Sequence, residues 1–406
     1  MSSSALELLD LIARWLHVVA GIMWVGNSLL FNWLDRTLAP PSRAGDGLLG
    51  ESWLLHSGGF YFVEKTQLAG EPLPRSLHWF KWQAYTTWLS GAALLIVVYY
   101  LGGRAALADP GVAPLSHGAA VAVGIGYIVG GVAAYELVQR HLAPRAPRAS
   151  TVLLLVAFVG GVYALTHLLN GRAAFLHVGA MLASIMAGNV AMTIIPSQRE
   201  LVKSVQTGGR ADPVVSARAK RVSIFNNYIT FPVIALMLSG HVPSVYAHRW
   251  SWLLLLVIIA GGAGVRHVLN TRFATPSWKP RLAMVIVATS GTLYLLLAFV
   301  PAALPVAADR GEALGASVHV TFADARHVID RRCAACHSSQ PSDSTFGAAP
   351  AGVMFDLPAQ IQSHAARIRE RGVVTRTMPP ANKTHITERE RMILGRWIDE
   401  GASLRP

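Results

Sequence analysis

An apolar stretch long enough to cross a lipid bilayer recurs eight times along this chain, at residues 13–34, 84–101, 119–138, 151–169, 173–195, 224–241, 251–269 and 282–301. A helix needs about 20 such residues to span the hydrocarbon. In lipid only helices and closed barrels satisfy their own backbone polar groups, so long apolar runs read as helices. The expected architecture is therefore all-α, with an eight-span transmembrane helical domain over residues 1–305. The third stretch is the weakest of the eight because it is rich in glycine. Hydrophobic residues make up 52% of the chain and charged ones only 14%. Residues after 317 are ordinary and polar, so the apolar excess belongs to the spans.

Lys and Arg are distributed unevenly between the loops. The loops after the first, third, fifth and seventh stretches carry most of them, for example Arg199, Lys203, Arg210, Arg218, Lys220 and Arg221 after the fifth. The alternate loops carry only Arg104, Arg172 and Arg249. The positive-inside rule then places the rich loops in the cytoplasm and both termini outside, as expected for a multi-pass membrane protein with both ends on the outer face. The first stretch is long and lacks a small-residue cleavage site, so it is expected to remain as a span and not to be removed as a signal peptide. The net charge of +13 is accounted for by these inner loops, which would lie near anionic headgroups of the lipid bilayer. No nucleic-acid partner is expected.

The spans contain a repeat. Trp15-Leu16-His17-Val18 is echoed by Phe175-Leu176-His177-Val178, with Asn27 and Asn189 following. Trp82-Gln83-Ala84-Tyr85-Thr86-Thr87-Trp88 is echoed by Phe225-Asn226-Asn227-Tyr228-Ile229-Thr230-Phe231, and Gly130-Gly131 by Gly261-Gly262. An offset of four spans makes the halves two parallel four-helix repeats. Polar groups in hydrocarbon are costly and normally face the protein interior. Tyr85, Thr87, Asn226, Tyr228 and Glu136 lie toward the inner face and are candidates for a catalytic pocket around a planar, hydrogen-bonding substrate. Their bland reading is bonding between helices. His17 and His177 lie toward the outer face and are candidates for clamping a haem b.

The C-terminal part carries the sharpest motif. Cys333-Ala334-Ala335-Cys336-His337 contains the only two cysteines of the chain. The spacing puts two thiols one helical turn apart, where both reach the vinyl groups of one haem c, with the His337 imidazole ligating the iron. The competing reading is a thioredoxin-like dithiol. Met378, in Thr377-Met378-Pro379-Pro380, is the candidate sixth ligand, since a thioether raises the potential and suits electron transfer; Met354 competes with it. Residues 322–330 and 387–400 read as helices, the second opened by the capping box Thr387-Glu388-Arg389-Glu390. Together they predict a small α-helical cytochrome c domain over residues 317–406, joined by a linker at 306–316. Its place outside the membrane would agree with where c-type haem is attached.

With those residues in view, the chain resembles the bacterial membrane-bound, cytochrome c-linked urate oxidases, also called urate hydroxylases. The resemblance covers nearly all of the chain. It rests on His17 to Gly26 with Asn32-Trp33, on Gly59-Phe60-Tyr61, Trp79-Phe80-Lys81-Trp82 and Asn226-Asn227-Tyr228, and on the C-terminal Cys333 to His337, Ala349 to Val353, Thr377 to Asn382 and Trp397 to Ala402. It implies oxidation of urate to 5-hydroxyisourate in purine catabolism. The electrons would leave through the c haem to a soluble cytochrome c or terminal oxidase. It does not say which residues touch urate. Two other functions suit parts of the pattern: an electron-transfer cytochrome fed by quinol or a partner dehydrogenase, and a transporter with a redox-regulated domain.

Overall fold

The computed structural model describes residues 3–43, 47–68, 73–74, 76–101, 104–208, 212–299, 320–343 and 349–404. The linker expected at 306–316 lies outside them. The first part is a stack of long helices: α1 (Ser3–Thr37), α2 (Trp82–Leu94), the short α3 (Arg104–Leu107), α4 (His117–Leu137), α5 (Pro147–Thr166), α6 (Gly171–Asn189), α7 (Ile195–Gln206), α8 (Pro213–Leu238), the short α9 (Pro243–Tyr246), α10 (Ser251–Thr271) and α11 (Trp278–Phe299). Seven helices among the described residues are long and apolar enough to cross a membrane. The eighth expected span is α2, which runs on through a π-helical turn to Tyr100. Its α-helical part holds 13 residues, short of a bilayer span until the π turn is added.

Three helices of this first part continue through single π turns, at Leu95–Tyr100, Val138–Leu142 and Val190–Ile194. The last joins α6 to α7 into one rod. Helix starts are capped where the sequence supplies a short polar residue. Ser116 accepts from the Ala119 amide at 3.2 Å, and Asn170 from the Ala173 amide at 2.8 Å. Each satisfies an amide that has no partner inside its helix. Pro232 interrupts α8, and α10 closes on it through Gly262.

The glycines that weaken the third stretch as a sequence signal are what seats it. A Cβ on Gly124 would fall 2.5 Å from His177 Nε2, and one on Gly131 2.7 Å from Met181 Cγ. These positions are seven residues apart, on one face of α4, so α4 lies against α6 at closer range than side chains would permit. Gly261 plays the same part between α10 and α11, where a Cβ would meet Thr289 Cγ2 at 2.4 Å.

The repeat does not survive as equivalent packing. α6 sits at the centre against α2, α4, α5 and α8, and 61% of its apolar window is buried, whereas α1, its sequence counterpart, is 6% buried and packs chiefly on α2. Like sequences in the two halves therefore meet unlike neighbours.

One element was not legible in the sequence. Between α1 and α2 stand β1 (Leu48–His56) and β2 (Gly59–Thr66), an antiparallel pair with His56 opposite Gly59. The two-residue turn has positive φ at both Ser57 (49°) and Gly58 (75°), the handedness that matches strand twist.

The C-terminal domain holds α12 (Phe322–Arg332), α13 (Pro358–Ser363), α14 (Ala365–Ile368) and α15 (Glu388–Asp399) around a core of Val328, Ile329, Ile361, Leu394 and Trp397. The expected capping box forms: Thr387 Oγ1 accepts from the Glu390 amide at 3.2 Å while Glu390 accepts from the Thr387 amide at 2.7 Å. Thr321 and Asp324 make a second one at α12. The Pro380–Asn382 turn of this domain lies against α3.

Candidate functional site

The chemistry-bearing groups gather in two places. In the C-terminal domain, α12 ends at Arg332, and the chain turns tightly so that the amides of Cys336 and His337 both donate to the Cys333 carbonyl, at 3.1 and 2.9 Å. With its proton on Nδ1, His337 donates to the Val353 carbonyl at 2.9 Å, which leaves the Nε2 lone pair for a metal. Burial holds the His337 pKa below its usual value, against the Val353 carbonyl that raises it. The ring is therefore neutral at physiological pH. Burial also pushes the Cys333 thiol up to about 12. A catalytic dithiol needs an accessible thiolate, so the environment disfavours the thioredoxin-like reading and suits a covalent anchor beside the core.

Val353 and Phe355 both bond to His337, the second through its amide at 2.8 Å to the His337 carbonyl. Met354 thus sits in the segment behind that histidine. Met378 is held elsewhere: its amide donates to the Arg371 carbonyl at 2.9 Å, and its carbonyl accepts from Arg391 at 3.0 Å. Arg391 is buried and also binds the Gly372 carbonyl, fixing the Met378 loop to α15. The donor set suits a c-type haem: Cys333 and Cys336 would anchor it, and His337 and Met378 are the residues that would ligate its iron.

The second place is among the helices. Asn226 on α8 accepts from Asn189 Nδ2 at 2.8 Å and donates to the Met186 carbonyl at 3.0 Å. The same Asn189 amide donates to the Tyr135 hydroxyl at 3.2 Å, and the Tyr135 ring stacks on Phe225 with centroids 5.3 Å apart. Asn189 Oδ1 is buried with no partner among the described residues. Two of the π turns begin beside this cluster, one directly after Asn189 and one three residues after Tyr135, and such bulges concentrate at functional sites. On the next face of α8, Asn227 accepts from Arg266 at 3.0 Å and from Asn270 at 2.7 Å. That fastens α10 to α8.

Beyond Tyr135 a cavity of about 440 Å³ opens at the ends of α4, α5 and α8, lined by residues including Gln139, Thr151, Arg218, Arg221 and Phe225. None of the five residues expected to form a pocket lines it. Asn226 stands two contacts behind its wall, bonded to Asn189, which bonds Tyr135. Tyr228 bonds His267 Nδ1 at 2.8 Å on a more exposed side. Glu136 turns to Arg140 at 3.1 Å. Thr87 bonds back to the Gln83 carbonyl at 2.6 Å, and Tyr85 packs with Val190 and Ile195.

The two outer histidines are not brought together. His17 Nδ1 lies 2.9 Å from the Thr87 carbonyl, in the α1/α2 pair. His177 is buried against α4, with Nδ1 on the Ala173 carbonyl at 2.8 Å and Nε2 3.2 Å from the Tyr100 hydroxyl. With both nitrogens engaged and Gly124 pressed on its edge, His177 does not fit as one jaw of a haem b clamp.

Residues 3–299 match the family described as urate oxidase, N-terminal. The chain belongs to that family. No curated protein and no solved structure matches it. The match covers all of the long helices and none of the Cys333–His337 region, so membership in the urate oxidase N-terminal family attaches to the helical part. Tyr135, Gln139, Arg218, Arg221 and Asn270 are not among the site residues expected from the sequence, and Asn227 enters there only as part of the repeat and of the family pattern. Arg218 and Arg221 count there only as loop charges, although with Val222 and Phe225 they form one helical stripe at spacings of three, four and seven.

Proposed function

We propose that this protein is a membrane-bound oxidoreductase that converts urate to 5-hydroxyisourate. Urate and one water give 5-hydroxyisourate, two protons and two electrons, and the electrons leave through the c-type haem of the C-terminal domain to a soluble cytochrome c or terminal oxidase. The observation that carries the reading is the union in one chain of a urate oxidase-family helical part and a neutral His337 posed with a free Nε2 beside two cysteines. When bound, the haem supplies one-electron acceptance at a potential raised by its thioether ligand.

The chain's own residues do the rest. The Asn226–Asn189–Tyr135 relay fixes an aromatic wall of the cavity, and Tyr228, bonded to His267 at 2.8 Å, lies apart from it. The loop bearing Met378 continues into the turn that meets α3. An anaerobic visible spectrum of the oxidised holoprotein, taken before and after adding urate, tests the proposal. Reduction of the haem by urate is expected. A haem reduced by dithionite but not by urate would end this reading.

A further inference from the structure

The cavity at the ends of α4, α5 and α8 has the makings of a binding site to which the sequence repeat contributes only Phe225. Its lining includes the stripe Arg218, Arg221 and Phe225 on α8, and, adjoining it, Tyr135 and Gln139, one turn apart on α4 and its π turn. Thr151, in the first turns of α5, adds a hydroxyl. The two aromatic rings are already stacked, 25° from parallel, and Tyr135 is held in place by Asn189. Glu136 is occupied by Arg140. Neither Arg218 nor Arg221 has a carboxylate partner among the described residues. Two guanidinium forks without counter-charges, beside a fixed aromatic face and a side-chain amide, form a donor set for something flat, anionic and hydrogen-bonding. A volume of about 440 Å³ is within the range of small-molecule sites.

We propose that this cavity binds a planar heteroaromatic anion, and, resting on the reading above, that the anion is urate. Arg218 and Arg221 neutralise its charge, the stacked Phe225–Tyr135 pair gives it one aromatic face to lie against, and Gln139 and Thr151 read its edge. The competing occupant is an anionic lipid headgroup, which would need the arginines but not the ring wall or the amide.

The test is equilibrium binding of radiolabelled urate to the full-length holoprotein kept reduced with dithionite, so that binding is measured without turnover. Wild type is expected to bind. The double variant R218Q/R221Q is expected to bind about tenfold more weakly or worse, the loss typical of removing charge-assisted hydrogen bonds. Phe225→Leu, which keeps both charges, is expected to weaken binding several-fold, with helix content unchanged by circular dichroism. Equal affinity in all three proteins would overturn the proposal and leave the arginines to lipid headgroups, and so would no binding by wild type. Haem reduction by urate in the oxidised wild type is scored separately. If urate binds in an arginine-dependent way but reduces no haem, the oxidase reading fails and the site stands.

Discussion

At the scale of single residues, the C-terminal domain depends on a few hydrogen bonds that decide what an iron would meet. His337 owes its orientation to the Val353 carbonyl and Met378 owes its place to Arg371 and Arg391. Met378→Ala is expected to keep the haem covalently attached while lowering its reduction potential, because the thioether that favours the reduced iron is gone; a redox titration reads this. An unchanged potential would remove Met378 as a ligand. Glu390 gives a pH dependence with a definite sign. Burial raises its pKa, but the Thr387 amide and the Arg332 guanidinium more than offset that and hold the carboxyl below its ordinary value of 4.5. A depressed carboxylate stabilises the fold above its unfolded pKa and loses that contribution as pH falls through the folded one. Thermal unfolding of the domain should therefore become easier on acidification below the ordinary carboxylate range. Glu390→Gln should flatten that dependence.

At the scale of elements, close approach is the main theme. The glycines of α4 lower its standing as an isolated helix and raise its fitness as a partner of α6, since Gly124 and Gly131 face His177 and Met181. Gly124→Ala is expected to destabilise the helical part by about 1–3 kcal/mol, the usual cost of forcing atoms into a filled interface, seen as a lower Tm in detergent. Ala at Gly126, where nothing lies within 4 Å, is the matched control and should be neutral or slightly stabilising. The capped starts of α12 and α15 were legible because a capping box is a local pattern. The β1/β2 hairpin was not, because its turn is Ser57-Gly58 and its strands run through apolar residues exposed on one face, including Trp53, Leu55, Phe60 and Phe62, with no polar alternation to mark them.

For the molecule as a whole, the distribution of Lys and Arg predicts that the N-terminus and the C-terminal domain share the outer side of the membrane. Protease added to intact spheroplasts should therefore clip the C-terminal domain, and protease confined to the inner side should not. The places of the long apolar helices, though not their ends, the cysteine-histidine motif and the helices around it could be read from the chain, because each is written in local periodicity or fixed spacing. Which repeated residues are equivalent in more than sequence depends on the packing. His17 and His177 look alike in the chain, yet one ends on α2 and the other under α4. Asn226 and Gln83 align, yet only Asn226 joins the network that reaches the cavity. Arg218 and Arg221 became site residues because α4, α5 and α8 end together around them. The physical reason is that a helix has several faces, and hydrophobicity along the chain does not say which neighbour each face meets once α6 takes the centre and α1 the rim.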